Sequence, residues 1–327
     1  MMKHDYFIFA SGRLKRKDNT VFLEYGNDER KYLPVENIDT IHVFGEVDMN
    51  NKLLDYMSEY GIVINFYNYY GYYSGSYCPR KRNVSGYSLV NQVQHYIDPE
   101  KRLFLAEQFI ISAIFHMMRN LRHYNGMQGY IDEINNERRN IDEVSDITSL
   151  MGIEGTARNI YYSAFNEILK YGFKMEKRER RPPNDPVNVL ISFGNSLMYT
   201  TVLAEIYKTQ LDPTISYLHE PSTRRFSLSL DIAEIFKPLI VDPLIFYVVN
   251  NKIISLDNFE SYEGICILNE DGKKKFIREY ENKLTTTVKH RKLNRNVSYK
   301  GFIRLECYKI IKHLLDDEVY KPLKAWW

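Results

Sequence analysis

Apolar and polar positions change rhythm along the chain. Over residues 1–80 short apolar and aromatic runs alternate with turn residues, the pattern of β-strands. Tyr6–Ala10 is aromatic and β-prone, and Ser11-Gly12 marks a turn. Leu14–Lys17 and Thr20–Tyr25 flank Asp18-Asn19, a two-residue hairpin turn. Ile38–Phe44 and Ile62–Tyr67 predict further strands. Between them Leu53, Leu54, Met57 and Tyr60 recur at helical spacing over Asn50–Tyr60. From Pro99 the period becomes helical: an apolar face runs to Leu121, opened by a proline suited to a first helical turn. Residues 131–144 are polar and acidic and predict an exposed helix or loop. Ser145–Lys170 and Val187–Lys208 predict helices, separated by a break at Pro182-Pro183 and Pro186. Leu211–Arg225 predicts a loop, Phe226–Phe236 a helix, Pro238–Val249 a buried core segment, and Lys300–Leu315 an amphipathic helix. The fold class this predicts is α+β. A small N-terminal β-rich, β-sandwich-like domain (residues 1–85) precedes a linker (86–98) and a larger all-α C-terminal domain (99–327).

Composition narrows the classes. The chain has 327 residues, 44% hydrophobic and 26% charged, with Gly 16 and Pro 11. That excludes a wholly disordered or fibrous chain and leaves room for two domains. Cys78, Cys266 and Cys307 are far apart with no C-x-x-C pair, so neither a disulfide framework nor a structural zinc site is expected, and a reducing cytoplasm fits. The apolar run at Tyr6–Ala10 is too short for a signal peptide. No uncharged apolar run approaches the roughly 18–20 residues of a membrane helix. There is no Walker A loop and no G-x-G-x-x-G. The odd count is Tyr 27 beside Trp 2; most of these tyrosines are expected to be scaffold.

Chemistry concentrates in two segments. His219 sits in Tyr217-Leu218-His219-Glu220-Pro221, where Pro221 disfavours a helix. Twelve residues on, Asp231 and Glu234 lie three apart on one helix face. An imidazole with two or three carboxylate oxygens suits Mg²⁺ or Mn²⁺; a solvated acidic face with a surface histidine has the same spacing. Glu154 lies in Met151-Gly152-Ile153-Glu154-Gly155. Glycines within a helix cost about 1 kcal/mol each against alanine, tolerable where another backbone or a ligand approaches. The plain alternative for Glu154 is an ion pair with Arg158, one turn on.

Three pieces, Met151–Gly155, Arg181–Gly194 and Tyr217–Pro238, together resemble the CRISPR-associated adaptation integrase, the Cas-one family, in order and spacing. Leu33–Gly45 and Gly61–Phe66 resemble that family's β domain. The resemblance implies a β-sandwich-like N-terminal dimerisation domain and a helical catalytic domain. It implies a homodimer, two of which flank a Cas-two dimer in a heterohexamer that inserts spacer DNA into a CRISPR array. The family's metal ligands match Glu154, His219 and Glu234, and Asp231 matches an acid in or beside the metal site. The cofactor implied is Mg²⁺ or Mn²⁺. Asn188 and Arg225 match motif positions, read first as structural or phosphate-contacting.

The near-neutral net charge of +2 hides a segregation. Residues 273–312 hold 13 Lys and Arg against 3 Asp and Glu, leaving the remaining residues net acidic. Lys289, Arg291, Lys292 and Arg295 form a dense basic stretch, expected to contact a DNA backbone. The expected substrates are double-stranded and branched DNA and CRISPR repeat DNA, with no membrane partner. The function expected is metal-dependent DNA integration by transesterification. Two alternatives are a stand-alone metal-dependent endonuclease on branched DNA and a non-catalytic DNA-binding scaffold.

Overall fold

The computed structural model describes residues 3–26, 29–80, 83–179, 182–221, 226–262 and 264–327. The chain divides into two compact units, Met1–Val84 and Ser85–Trp327.

The first unit holds β1 (His4–Ile8), β2 (Gly12–Lys17), β3 (Thr20–Tyr25), β4 (Glu29–Pro34), β5 (Ile38–Val43), β6 (Val47–Asp48), helix α1 (Asn51–Tyr60), β7 (Val63–Tyr67) and β8 (Tyr73–Tyr77). They make two four-stranded sheets, ordered β1-β5-β7-β8 and β4-β3-β2-β6. Asp18 takes a positive φ in the tight turn that joins β2 to β3. In the first sheet β1, β5 and β7 are parallel and β8 antiparallel. A parallel step needs a crossover, and α1 supplies it between β5 and β7. Asn50 accepts the Leu53 N–H at 3.0 Å to cap its start, and Gly61 at φ 70° ends it. Ile8, Leu14, Val21, Leu23, Ile41, Val43, Leu53, Met57 and Ile64, from both sheets and the helix, share one core. The unit is sandwich-like, and both sheets are mixed: in the second, β6 runs parallel to β2 beside the antiparallel β2–β3 and β3–β4 pairs.

The second unit contains α2 (Gly86–Ile97), α3 (Pro99–Leu121), α4 (Gln128–Arg139), α5 (Ile147–Ser163), α6 (Phe165–Ile168), α7 (Pro186–Tyr207), α8 (Ser227–Phe236), α9 (Asp242–Asn250), hairpin β9 (Phe259–Tyr262) and β10 (Ile265–Leu268), α10 (Glu270–Thr285), hairpin β11 (Thr287–Lys289) and β12 (Asn296–Ser298), and α11 (Tyr299–Leu314). Of residues 86–98, expected as a linker, 86–97 form helix α2 and Asp98 joins it to α3. Ser85 caps α2, and Asp98 closes it while capping α3. The polar run Asn91-Gln92 and Gln94-His95 breaks the apolar pattern, yet Gln92 and His95 are buried. Among the described residues the two short hairpins are the β content of an otherwise helical unit. Helix α7 is long and apolar enough by composition to cross a membrane, but most of it is buried inside the protein, as a core helix would be.

Helix α8 lies at the centre, packed on α3, α7 and α11. It does not stop at Phe236. A π-turn, Lys237–Val241, carries the chain into α9. Gly194 of α7 lets that turn approach: a Cβ there would stand 2.5 Å from Val241 Cγ1 and 3.1 Å from the Phe276 ring.

Behind α8, His116 of α3 is buried, with Nδ1 3.1 Å from the Ile235 carbonyl and Nε2 accepting the Ala325 N–H at 3.1 Å. The ring must be neutral to donate to one and accept from the other. Burial, with Arg119 and Lys324 nearby, holds its pKa down to about 3. The unfolded chain therefore binds a proton at this ring below about 6.5 that the folded chain refuses until about 3. Its contribution is complete above pH 6.5 and declines as pH falls, by about 1.4 kcal/mol per pH unit. Lowering pH from 7 to 5 should cost about 2 kcal/mol through this group. Urea unfolding of the wild type and His116→Gln at both pH values reads it; a stability gap between the two proteins that is independent of pH refutes it.

Candidate functional site

The loop bearing His219 is held from three directions. Asp231, fully buried on α8, accepts four hydrogen bonds. Its Oδ2 takes the N–H groups of Tyr217 and Leu218 at 2.7 and 2.9 Å, and its Oδ1 takes the His219 N–H at 3.0 Å and ring Nδ1 at 2.8 Å. A carboxylate accepts, so Nδ1 carries the proton and Nε2 keeps its lone pair. From α2, the buried Gln92 side chain donates to the carbonyls of Asp212 and Ile215 at 2.8 and 3.0 Å and accepts the Asp212 N–H at 2.9 Å. From α3, Arg102 donates to the Tyr217 carbonyl at 2.9 Å and to Glu220 at 2.7 Å. An unstructured turn is thereby fixed by side chains on regular helices.

Glu154 on α5 and Glu234 on α8 meet on one guanidinium. Arg158 donates to both, and Lys237 donates to Glu234 at 2.5 Å. The Glu154–Arg158 pair one turn apart is present, and the same arginine reaches across to the second helix. Arg158, Glu234 and Lys237 are buried, and Glu154 is partly exposed. Burial alone would raise the Glu234 pKa, but Lys237, Arg158 and His219 reverse that and hold it at about 2. Burial opposes charge on Lys237 and Arg158 too, yet the glutamates hold both pKa values above the ordinary range. The acids are thus not a solvated face. Beside them, Asp242 opens α9 fully buried, and burial pushes its pKa up to about 7.

The four expected chemical residues do gather in one neighbourhood, but in different roles. Among the described residues no three His, Cys, Asp or Glu side chains converge as a metal-binding group. Asp231 has both oxygens hydrogen-bonded to the His219 loop, including the imidazole Nδ1. Glu154, Glu234 and His219 Nε2 remain as donors. Two carboxylates and one imidazole suit Mg²⁺ or Mn²⁺, and the positive charge such acids need is supplied here by Arg158 and Lys237. The donor set fits a divalent cation.

Asn188 is structural: its side chain binds the Lys177 carbonyl, the Glu179 N–H and Asp185. Arg225 lies outside the described residues. Lys289, Arg291, Lys292 and Arg295 share the exposed turn of the β11–β12 hairpin. Within it Arg291 stacks 5.1 Å from the Trp326 ring and Lys292 lies 3.5 Å from Glu318. Sequence reasoning missed Gln92, Arg102, Lys237 and Asp242. Lys237, three residues after Glu234, had a spacing signal; the others come from elsewhere in the fold.

Fold and site together define a two-unit α+β protein whose helical unit buries carboxylates against cations beside an oriented histidine. The family model described as CRISPR associated protein Cas1 matches residues 6–282. A CRISPR-associated endonuclease Cas1 from Clostridium perfringens is 59% identical over 100% of both chains. A CRISPR-associated endonuclease Cas1 from Thermodesulfovibrio yellowstonii is 58% identical over 99% of each. The solved structure of a Cas1 protein from Thermotoga maritima superposes with a TM-score of 0.88 at 43% identity, covering 97% of this chain and 99% of that one. The chain belongs to the Cas1 family. A casposase bound to integration product shares the fold at 18% identity, TM-score 0.86, over 99% of this chain and 94% of that one.

Proposed function

We propose that this protein is a divalent-metal-dependent DNA integrase of CRISPR adaptation, with its reaction centre at Glu154, His219 and Glu234. The observation that carries this is the meeting of Glu154 and Glu234, from separate helices, on one guanidinium beside a histidine whose Nε2 is kept available. The names of the close relatives, CRISPR-associated endonucleases, support phosphodiester chemistry. Glu154, His219 and Glu234 would hold Mg²⁺ or Mn²⁺. Bound there, the ion would supply Lewis acidity to a DNA 3′-hydroxyl and to the phosphoryl oxygens. The protein's own part is electrostatic and positional. Asp231 fixes the imidazole; Arg158 and Lys237 keep Glu234 ionised at neutral pH. Gly155, next to Glu154 in the helix, leaves that part of the helix surface bare, with nothing within 4 Å of where a Cβ would stand. That space admits a DNA backbone.

In the reaction the attacking 3′-oxygen forms a bond to phosphorus and loses its proton. The bond to the departing 3′-oxygen breaks, and that oxygen takes a proton. No covalent enzyme intermediate is needed. The β unit would make the homodimer, two dimers would flank a Cas2 dimer, and the exposed turn at Lys289–Arg295 would track DNA phosphates in the cytoplasm.

The decisive test is strand joining into a supercoiled plasmid bearing a CRISPR array, for wild type and Glu154→Ala, with and without Cas2. Joining should require Cas2 and Mg²⁺ or Mn²⁺, and Glu154→Ala should lose it while still binding DNA in a mobility-shift assay. Cutting without joining when Cas2 is present would favour the stand-alone nuclease. An unaffected Glu154→Ala would leave only a scaffold.

A further inference from the structure

Asp242 is the most anomalous side chain in the helical unit. It is 1% exposed, and among the described residues neither carboxylate oxygen has a hydrogen bond of ordinary geometry, the Tyr161 hydroxyl being the one group close enough to interact as a donor. Buried polar groups nearly always have partners, so one without them calls for an explanation. Its surroundings suggest one. Arg158, Lys237 and Glu234 act on it electrostatically, and the Tyr161 hydroxyl is beside it. The geometry of the helix explains how it comes to be there. Eight residues separate Glu234 from Asp242, which in a regular α-helix overshoots two turns by about 80°. The wider π-turn at Lys237–Val241 takes up that excess and returns Asp242 to the face of Glu234. Such turns inside helices are frequent at functional sites.

Charge makes the position useful. With no divalent ion, Arg158 and Lys237 balance Glu154 and Glu234. A divalent ion on the two glutamates would add two positive charges to a largely buried cluster and displace the Arg158 hydrogen bonds. A guanidinium so displaced needs another acceptor, since a buried unpaired cation is strongly disfavoured. Resting on the assignment of Glu154, His219 and Glu234 as metal ligands, we propose that Asp242 is the positioning carboxylate that receives Arg158 when a divalent cation takes the two glutamates. Arg158 is then a resident counter-ion of the unloaded site. Asp242 and the DNA phosphate together offset the charge that the cation brings.

The experiment is Mn²⁺ binding to the full-length protein, followed by the electron paramagnetic resonance of free Mn²⁺, with no DNA present. The variants are His219→Ala, Asp242→Asn, Arg158→Gln and the double variant Asp242→Asn/Arg158→Gln. Asp242→Asn keeps the volume and removes only the charge; its near-ultraviolet circular dichroism should match the wild type. It should bind Mn²⁺ about tenfold or more weakly, the usual effect of losing an outer-shell partner. In the double variant no displaced arginine needs a home, so affinity should return to within about threefold of Arg158→Gln alone. If Arg158→Gln does not fold, Arg158→Met replaces it in both arms, since it keeps most of the side-chain length and removes the cation. Asp242→Asn binding like wild type while His219→Ala does not would overturn this proposal and leave the metal site standing. A double variant as weak as Asp242→Asn would do the same. A wild type that binds no Mn²⁺, or a His219→Ala that binds it equally well, would overturn both.

Discussion

Glu234→Gln should lose strand joining by at least about a thousandfold and be less stable at neutral pH by about 3 kcal/mol. The stability figure comes from the pKa of Glu234, held at about 2 against an ordinary 4.5, at about 1.4 kcal/mol per unit. It agrees with the cost of removing one partner from a buried ion pair, about 3–5 kcal/mol. The sign follows from proton uptake. Between pH 4.5 and 2 the unfolded chain binds a proton at this carboxyl and the folded chain does not. Its contribution is therefore complete above pH 4.5 and lost as pH falls toward 2. Glutamine leaves Arg158 and Lys237 buried with Glu154 as the one remaining glutamate of the pair. Guanidinium unfolding at pH 7 and at pH 3.5 measures the first effect: the deficit of the variant should shrink at the lower pH. The loss of joining combines a missing oxygen ligand with the collapse of the charge balance. Glu234→Asp separates these, because it keeps the charge and shortens the reach. A Glu234→Gln protein as stable as wild type at pH 7, or one that still joins strands, contradicts this account.

Where the local pattern and the final structure agree, short-range physics decided the outcome. Asn50 and Gly61 bracket α1, Asp18 shapes a hairpin, and Asp185 with Pro186 opens α7. Such caps and turns need only neighbouring residues. Glu154, His219 and Glu234 could be singled out because the order and spacing of their motifs resemble the Cas1 family; spacing alone left a solvated acidic face and a Glu154–Arg158 ion pair open. What stayed hidden is non-local. Residues 86–98 lack a clean apolar face because Gln92 and His95 are buried for polar work: Gln92 clamps a loop some 120 positions away. A π-turn cannot be read from a 3.6-residue period, so Pro238–Val249 was legible as core but not as a π-turn running into α9. The basic residues at Lys289–Arg295 were visible as charge, but the hairpin that groups them on one turn, and its contact with Trp326, depend on the chain's last residues. Tyrosines are split: Tyr161, Tyr217, Tyr280 and Tyr320 are core, whereas Tyr69 and Tyr87 are 71% and 70% exposed, so scaffold does not cover them all.

Asp231→Asn should impair catalysis through a proton rather than through shape. The carboxylate accepts two hydrogen bonds at each oxygen, all four from N–H groups of one loop. An asparagine amide has one oxygen and one NH₂. If the NH₂ faces Tyr217 and Leu218, it opposes two backbone donors. If it faces His219, it opposes that residue's N–H, and Nδ1 must become the acceptor. The ring proton then moves to Nε2 and removes the lone pair that a metal needs. The first arrangement costs stability, about 1–3 kcal/mol for buried donors without acceptors. The second costs function, about 10–100-fold or more, as when the outer partner of a ligating histidine is lost. The two are told apart by ¹⁵N NMR of the His219 ring, which reports which nitrogen carries the proton, and by thermal unfolding. DNA binding, which needs neither nitrogen, should persist in both. Should Asp231→Asn keep Nδ1 protonated, melt with the wild type and join strands at the wild-type rate, then Asp231 does not orient His219, and the loop is held sufficiently by Gln92 and Arg102.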